Sequence, residues 1–183
     1  VKDAICDRFA RATHVRPEVD KRQPDIQIVV FVDQDHVVWY IDTSGDPLFK
    51  RGWRKAAGEA PIRENLAAGI LRLSGWTSDQ VLLDPMCGAG TFLIEAALMA
   101  KGMAPGRGRE FAFRHLRNFD QSAWAHLHQD SMKPISSSPT FSIFGYDKDA
   151  NVLTMARKNL EGVGFEDIRF NQLDVLDVTP PAT

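Results

Sequence analysis

The spacing of apolar residues changes several times along the chain, and each change marks an element. Residues 3–12 place Ile5, Cys6, Phe9 and Ala12 on one face, which predicts a short helix. After a polar stretch holding Pro17 and Pro24, the period falls to two. Residues 26–32 and 36–41 are rich in Val, Ile, Phe, Trp and Tyr and are separated by Asp33-Gln34-Asp35, the pattern of a β-hairpin, and Asp42-Thr43-Ser44-Gly45 reads as a turn. Residues 62–74 predict a helix with Pro61 at its first position, an apolar stripe of Leu66, Ile70 and Leu73, and Gly75 as its stop. Residues 81–84 form a short apolar strand running into a glycine loop, and 91–101 an Ala/Leu/Met-rich helix. Residues 102–109 are loop by composition, 119–132 a helix, and Ser136-Ser137-Ser138-Pro139 a linker. A second buried strand (141–146), a second helix (150–161) and a third strand (167–170) complete the series. Strands alternating with helices imply an α/β fold whose parallel sheet is built of right-handed crossovers.

Composition narrows the functional classes. The 183 residues hold 22 Lys+Arg against 24 Asp+Glu, with 44% hydrophobic and 25% charged residues, which excludes a disordered, collagenous or disulfide-stapled chain. A net charge of -2 is not that of a bulk nucleic-acid binder, so RNA contact would have to come from a local cluster. One candidate exists: in PLFKRGWRK (47–55), Lys50, Arg51, Arg54 and Lys55 surround Phe49 and Trp53, and a solvated loop is the other reading. Cys6 and Cys87 lie far apart and match no metal-ligand spacing, which suits a reducing cytoplasm. Apolar runs such as 94–100, interrupted by Glu95, fall short of the about 20 residues a membrane-spanning helix needs. Asp147-Lys148-Asp149-Ala150-Asn151 begins like a calcium loop, but Val152 and Lys158 stand where Gly and Glu are required, so Asp149 reads as a helix cap. His115, His126 and His128 read as surface residues, and no metal is predicted.

The chemistry concentrates in residues 82–100, LLDPMCGAGTFLIEAALMA, where a strand ends at Asp84 and a helix begins after Gly90. Gly88 and Gly90 allow a sharp turn and close approach of a ligand to the amides at the helix start. A phosphate-binding P-loop would need Lys after Gly90, and Thr91 and Phe92 stand there. A dinucleotide fingerprint would need glycine at Leu93 and an acid about 20 residues on, whereas Asp147, the acid ending the next strand, lies far beyond that. An S-adenosyl-L-methionine site remains. Asp84 would lie near the cofactor's cationic end, the glycines against its backbone, and Asp147, as an acceptor-only carboxylate, would take both ribose hydroxyls. Cys87 could be read as a nucleophile, but no partner base accompanies it, and a small packing residue suits the loop.

Several ordered motifs carry a family resemblance. Asp84-Pro85-Met86-Cys87-Gly88-Ala89-Gly90-Thr91 with Ile94-Glu95-Ala96-Ala97 resembles the cofactor loop of THUMP-linked methyltransferases, and closely those that methylate guanine N2 in bacterial large-subunit (23S) ribosomal RNA. Asp42 to Gly45, Lys50-Arg51-Gly52-Trp53-Arg54 and Ala60-Pro61-Ile62-Arg63-Glu64-Asn65-Leu66-Ala67 resemble the end of a THUMP domain and the helix that follows it. Pro105-Gly106 and the stretch 111–119 resemble that family's insertion after the first helix, and Gly145-Tyr146-Asp147 its ribose-binding strand end. Asn171-Gln172-Leu173-Asp174 is similar to its third strand end, whose acid faces the adenine amino group, a role the resemblance implies for Asp174. The resemblance implies a Rossmann-like class I methyltransferase domain, first strands only, preceded by the C-terminal part of an α+β THUMP domain. Its divisions would be residues 1–56 as THUMP, 57–80 as connecting helix and 81–183 as methyltransferase. Cofactor contacts would come from Asp84, Cys87, Gly88, Gly90, Thr91, Asp147 and Asp174, and phosphate contacts from Lys50, Arg51, Arg54 and Lys55.

Guanine N2 is a poor nucleophile because its lone pair is delocalised into the ring, and in this family an Asn-Pro-Pro-Tyr loop supplies acceptors for the amino protons and an aromatic ring for an extruded base. No such loop occurs here; Thr179-Pro180-Pro181-Ala182 lacks both a preceding apolar strand and a following aromatic. The chain therefore reads as an excised middle piece of a longer cytoplasmic enzyme, with ribosomal RNA as partner and no catalytic residue assigned. Two other readings stay open: a DNA or RNA adenine-N6 methyltransferase, and a non-catalytic RNA-binding module with a relic glycine loop. The expected outcome for residues 1–183 alone, incubated with radiolabelled cofactor and unmodified ribosomal RNA, is no methyl incorporation. A rate comparable to that of the intact protein would place the chemistry within these residues.

Overall fold

β-branched and aromatic residues draw Gln27–Asp33 (β1) and His36–Asp42 (β2) into an antiparallel hairpin in which Asp33 faces His36. The loop is therefore the pair Gln34-Asp35, with Gln34 left-handed at φ 48°. The Asp42 side chain accepts the N–H groups of Ser44 and Gly45, which builds the expected turn. Lys2–Thr13 forms α1, whose one buried residue is Cys6. In the computed structural model, which describes residues 1–133, 142–165 and 167–181, the chain divides into two compact units, and these elements make the first together with Phe111–Phe119. That returning segment is tied in by the Phe113 N–H on the Thr43 carbonyl, and within it the Phe113 ring stacks on Phe111 and meets Phe119 at a tilt. Ile28, Phe31, Val37 and Trp39 are all exposed on the hairpin.

The second unit comprises Asp46–Glu110 and Asp120–Thr183. Leu82–Asp84 (β3), Ile143–Asp147 (β4) and Ile168–Gln172 (β5) form a parallel sheet in the order β3-β4-β5, as the alternation of strands and helices implies. Its helices are Glu64–Leu73 (α2), Thr91–Ala100 (α3), Gln121–Met132 (α4) and Ala150–Glu161 (α5). Leu93 and Ile94 of α3, Ile143 of β4 and Leu153 of α5 are fully buried, each side chain contributing about 1.5 to 3 kcal/mol. Asp120 caps α4 by accepting the Ala123 N–H, and Asp149 caps α5 by accepting that of Asn151. Phe141 and the expected linker Ser136 to Pro139 lie outside the described residues.

Three expectations change. Helix α2 begins at Glu64 rather than at Pro61, because the Ile62 carbonyl is taken by the Arg54 guanidinium and the first helical carbonyl is that of Arg63. The stripe Leu66, Ile70 and Leu73 faces outward, Leu73 at 89% exposure, while Glu64, Ala67 and Leu71 are buried. Small Ala67 and Leu71 pack on the inner face, where the buried Glu64 is paired with Arg54. The division expected after residue 56 falls at Gly45/Asp46 in the compact units. Residues 46–55 join the second unit because Trp53 is buried in its core and Arg51 and Arg54 pair with carboxylates of α3 and α2.

At Gly145 a Cβ would stand 2.3 Å from Leu93 Cδ1 and 3.0 Å from the Phe170 ring. Gly145→Ala should therefore overpack the core and destabilise by about 1 to 3 kcal/mol, read from urea melts. A parent-like midpoint would show that α3 can retreat without cost.

Candidate functional site

The carboxyl ends of β3 and β4 lie side by side, since Asp84 pairs with Gly145 two residues before Asp147. From Asp84 the chain is stitched through a series of amides. Met86 N–H donates to Asp84 Oδ1 (3.1 Å), Cys87 N–H to the Tyr146 carbonyl (2.9 Å), Gly88 N–H to Asp147 Oδ2 (3.0 Å) and Gly90 N–H to the Cys87 carbonyl (2.8 Å). Asp147 Oδ1 also accepts the Asp149 N–H at 3.0 Å. An ionised carboxylate offers about four acceptor positions, so Asp147 is oriented by two bonds and keeps capacity for a diol. Gly90 sits at φ 79°, a conformation strained for any side chain, and a Cβ there would lie a tight 3.2 Å from Ala156 Cβ. It opens α3 without a side-chain cap, which leaves the helix start to a ligand's acceptors.

Burial raises the Asp84 pKa most, the Met86 N–H opposes that, and the neighbouring Asp147 charge adds to it. Burial, with the charges of Asp84 and Asp147, pushes the Cys87 thiol up to about 12. It is therefore no thiolate at neutral pH, and its buried side chain packs the turn. Asp174 follows β5 and caps the turn Val175–Asp177 through the Leu176 N–H, while Leu173 N–H donates to the Asp147 carbonyl (3.1 Å). The fold thus gathers Asp84, Cys87, Gly88, Gly90, Asp147 and the segment bearing Asp174 at one end of the sheet. Thr91 is buried, and its Oγ1 accepts a bond from Arg54 (3.0 Å).

The basic cluster divides, which differs from the four-cation phosphate patch expected of it. Lys55 is exposed, and Lys50 is exposed beside Asp46 at 3.2 Å. Arg51 bonds Glu95 Oε2 at 3.3 Å with its side chain 12% exposed, and Arg54 bonds Glu64 Oε1 at 2.8 Å with its side chain 18% exposed. Both arginines serve as internal counterions, because moving either to a phosphate would leave a buried carboxylate unpaired. Trp53 Nε1 donates to the other Glu95 oxygen at 3.2 Å. Burial raises the Glu95 pKa against the pull of Arg51 and Trp53. The sequence reading gave the buried polar residues Glu95 and Asn159 no role. Glu95 was legible as the lone acid in an apolar helix, and Asn159 as a polar residue on the apolar stripe of Leu153, Ala156 and Leu160.

A cavity of about 180 Å³ lies elsewhere, lined by Leu98, Gly162 and Val163 with Arg51, Trp53 and Arg107. It adjoins the C-terminal ends of α3 and α5, where helix dipoles present carbonyls, so it lacks the amide array of the strand-end site. Among the described residues no three His, Cys, Asp or Glu side chains gather to hold a metal, and no helix is long and apolar enough to cross a membrane.

A parallel sheet with a glycine loop after its first strand and an acid at the end of its second defines a Rossmann-like methyltransferase domain. The pattern of the RMKL-like methyltransferase domain family matches residues 51–182, that of the THUMP domain matches residues 1–42, and the chain belongs to the RMKL-like methyltransferase domain family. It is 40% identical over 186 residues to Ribosomal RNA large subunit methyltransferase K/L of Photobacterium profundum, covering 99% of this chain and 26% of that relative. SMU.472, described as a methyltransferase and crystallised in complex with SAH, superposes with a TM-score of 0.84 at 34% identity over 99% of this chain and 48% of its own. A Listeria monocytogenes protein described as an N6-adenine-specific DNA methylase gives 0.84 at 36% identity, over 97% of this chain and 47% of its own. The chain spans about a quarter of the length of the curated relatives it matches.

The raised Asp84 pKa has a stability consequence. The folded state holds this proton more tightly than the unfolded one, so its contribution is present below the ordinary value of 3.8 and lost as pH rises through the folded value. At neutral pH the ionised Asp84 is a net cost. Asp84→Asn keeps an acceptor for the Met86 N–H and should raise Tm at pH 7, the gain vanishing on acidification below the ordinary value. Equal Tm for both proteins at pH 7 would show that Asp84 carries no such cost.

Proposed function

We propose that the intact protein transfers a methyl group from S-adenosyl-L-methionine to guanine N2 of large-subunit ribosomal RNA in the cytoplasm, with this chain supplying the cofactor-binding half. The observation that carries the reading is the strand-end array in which Asp147, anchored by the Gly88 and Asp149 amides, faces a glycine turn and an uncapped helix start. The donor set fits the cofactor: the Asp84 carboxylate suits a cationic centre, the Gly88 to Gly90 turn admits close backbone approach, and Asp147 suits vicinal hydroxyls. Asp174 reaches the same end of the sheet and suits an amino group. The SAH complex of SMU.472 and the name of the Photobacterium relative support the same assignment.

The bound cofactor supplies a methyl group on a sulfonium that is already a good leaving group. What remains for the protein is positioning and exclusion of water. Asp84 and Asp147 orient the donor, Cys87 packs the turn beneath it, and no side chain here needs to act as general acid or base. Lys50 and Lys55, the exposed cations of the basic segment, are the phosphate contacts of this unit, and the THUMP segment provides further RNA contact. The description of the Listeria protein favours one second reading, transfer to an adenine amino group.

Calorimetry on the intact protein tests the site. Asp147→Ala removes two charge-assisted hydrogen bonds, each worth about 1.5 to 3 kcal/mol, so cofactor affinity should fall at least about tenfold. Unchanged affinity would remove the ribose assignment. Nucleoside analysis of RNA methylated by the intact protein separates the substrates: N2-methylguanosine is expected, and N6-methyladenosine would replace the guanine reading.

A further inference from the structure

Two side chains that the proposed cofactor contacts leave out converge on Gly90 from either side. Asn159 of α5 is 0% exposed. Its Oδ1 accepts the N–H groups of Lys55 (2.8 Å) and Ala56 (2.9 Å), and its Nδ2 donates to the carbonyls of Ala56 (2.9 Å) and Ala89 (3.1 Å). A carboxamide has two donors and two acceptor positions, and all four are used. Arg54 donates from Nε to Glu64 Oε1, and from NH2 to the Ile62 carbonyl and to Thr91 Oγ1 at 3.0 Å. Residues 54–56 are thereby bonded to Ala89 through Asn159 and to Thr91 through Arg54, the two neighbours of Gly90.

We propose that Arg54 and Asn159 are positioning residues for cofactor binding, clamping residues 89–91 to the segment 54–56 so that the glycine turn and the start of α3 are held in their receiving geometry; this rests on the cofactor reading above. Packing alone does not account for Asn159. Its neighbours on the α5 stripe are Leu153, Ala156 and Leu160, so an apolar residue would fill the position but take the partner from the Lys55 and Ala56 amides and the Ala89 carbonyl. Gly90, at φ 79° and without a side chain, cannot hold the turn itself. Arg54 is equally committed, since releasing it to a phosphate would strand buried Glu64.

The test uses the intact protein with S-adenosylhomocysteine as the calorimetric probe, a ribosomal RNA fragment titrated at several salt concentrations, and amide hydrogen exchange. Asn159→Asp is isosteric but turns two donors into acceptors facing carbonyls. Arg54→Lys keeps a cation for Glu64 but loses the planar fork that spans three acceptors. Each variant that melts cooperatively should bind the probe at least about tenfold more weakly and exchange faster at residues 89–91, with RNA affinity and its salt slope unchanged. That split is one a general loss of stability would not produce. Parent-like probe affinity and exchange, while Asp147→Ala weakens binding, overturns the clamp and leaves the cofactor site standing. A reduced salt slope for Arg54→Lys with unchanged probe affinity returns Arg54 to phosphate contact and also overturns it. If Asn159→Asp does not melt cooperatively, Arg54→Lys decides alone. An unaffected Asp147→Ala removes the site and the clamp with it.

Discussion

Where a Cβ on Gly145 would stand, the Leu93 side chain is 2.3 Å away and the Phe170 ring 3.0 Å, so α3 and β5 close over the central strand only because that atom is absent. Much of the site follows from this approach. Ala96, Ala97 and Ala156 are fully buried, which lets α3 and α5 lie near the sheet with few intervening atoms. The same Phe170 ring comes within 3.4 Å of a Cβ on Gly90. One aromatic ring thus borders both glycines, although the nearest atom is Leu93 Cδ1 at Gly145 and Ala156 Cβ at Gly90. The cofactor turn is an outcome of core packing, because the interior is close-packed and transmits a misplacement at one glycine to the other.

Buried charge sets the second constraint. Arg51–Glu95 and Arg54–Glu64 hold four ionisable groups out of water, and neither pair is justified by stability alone, since desolvation offsets much of the Coulomb gain. Their value lies in direction. An apolar contact between residues 51–54 and the helices could slide, whereas a guanidinium meeting a carboxylate oxygen, a backbone carbonyl and a threonine hydroxyl has one arrangement. Arginine suits this because it is more weakly hydrated than lysine and its donors are pre-set in a plane. The two lysines of the same segment remain exposed, in keeping with their stronger hydration.

The parallel sheet, the acids at the ends of its first two strands and the Asp149 cap were legible because each rests on local chemistry: Asp149 next to a periodic run, a strand ending in an acid, glycines before an apolar helix. The inner face of α2 was not. Leu66, Ile70 and Leu73 form a stripe by period, yet the buried face is that of Glu64, Ala67 and Leu71, and nothing within residues 62–74 reveals the Glu64 partner at Arg54. Reading four cations as one solvated patch failed for the same reason: burial of Arg51 and Arg54 depends on acids 44 and 10 residues away in the chain. Phe111–Phe119 returning to the first unit was likewise invisible to periodicity, since its tie is a backbone bond to Thr43.

On the proposed reading a polyanionic substrate and a cationic cofactor share one protein, and the placement of charge bears on how. Asp84 and Asp147 sit close enough for each charge to act on the other, and Asp174 caps a turn joined to the same strand end. A phosphate brought there would meet like charge in a partly desolvated setting, where screening is weakest. A sulfonium meets the opposite. Carboxylates at the strand ends therefore, on the proposed reading, favour the cofactor and disfavour the RNA backbone, while a neutral base carries no such penalty. On the proposed reading, the target nucleotide reaches the methyl group by extending its base toward the acids and leaving its phosphate outside, which is the geometry of an extruded base.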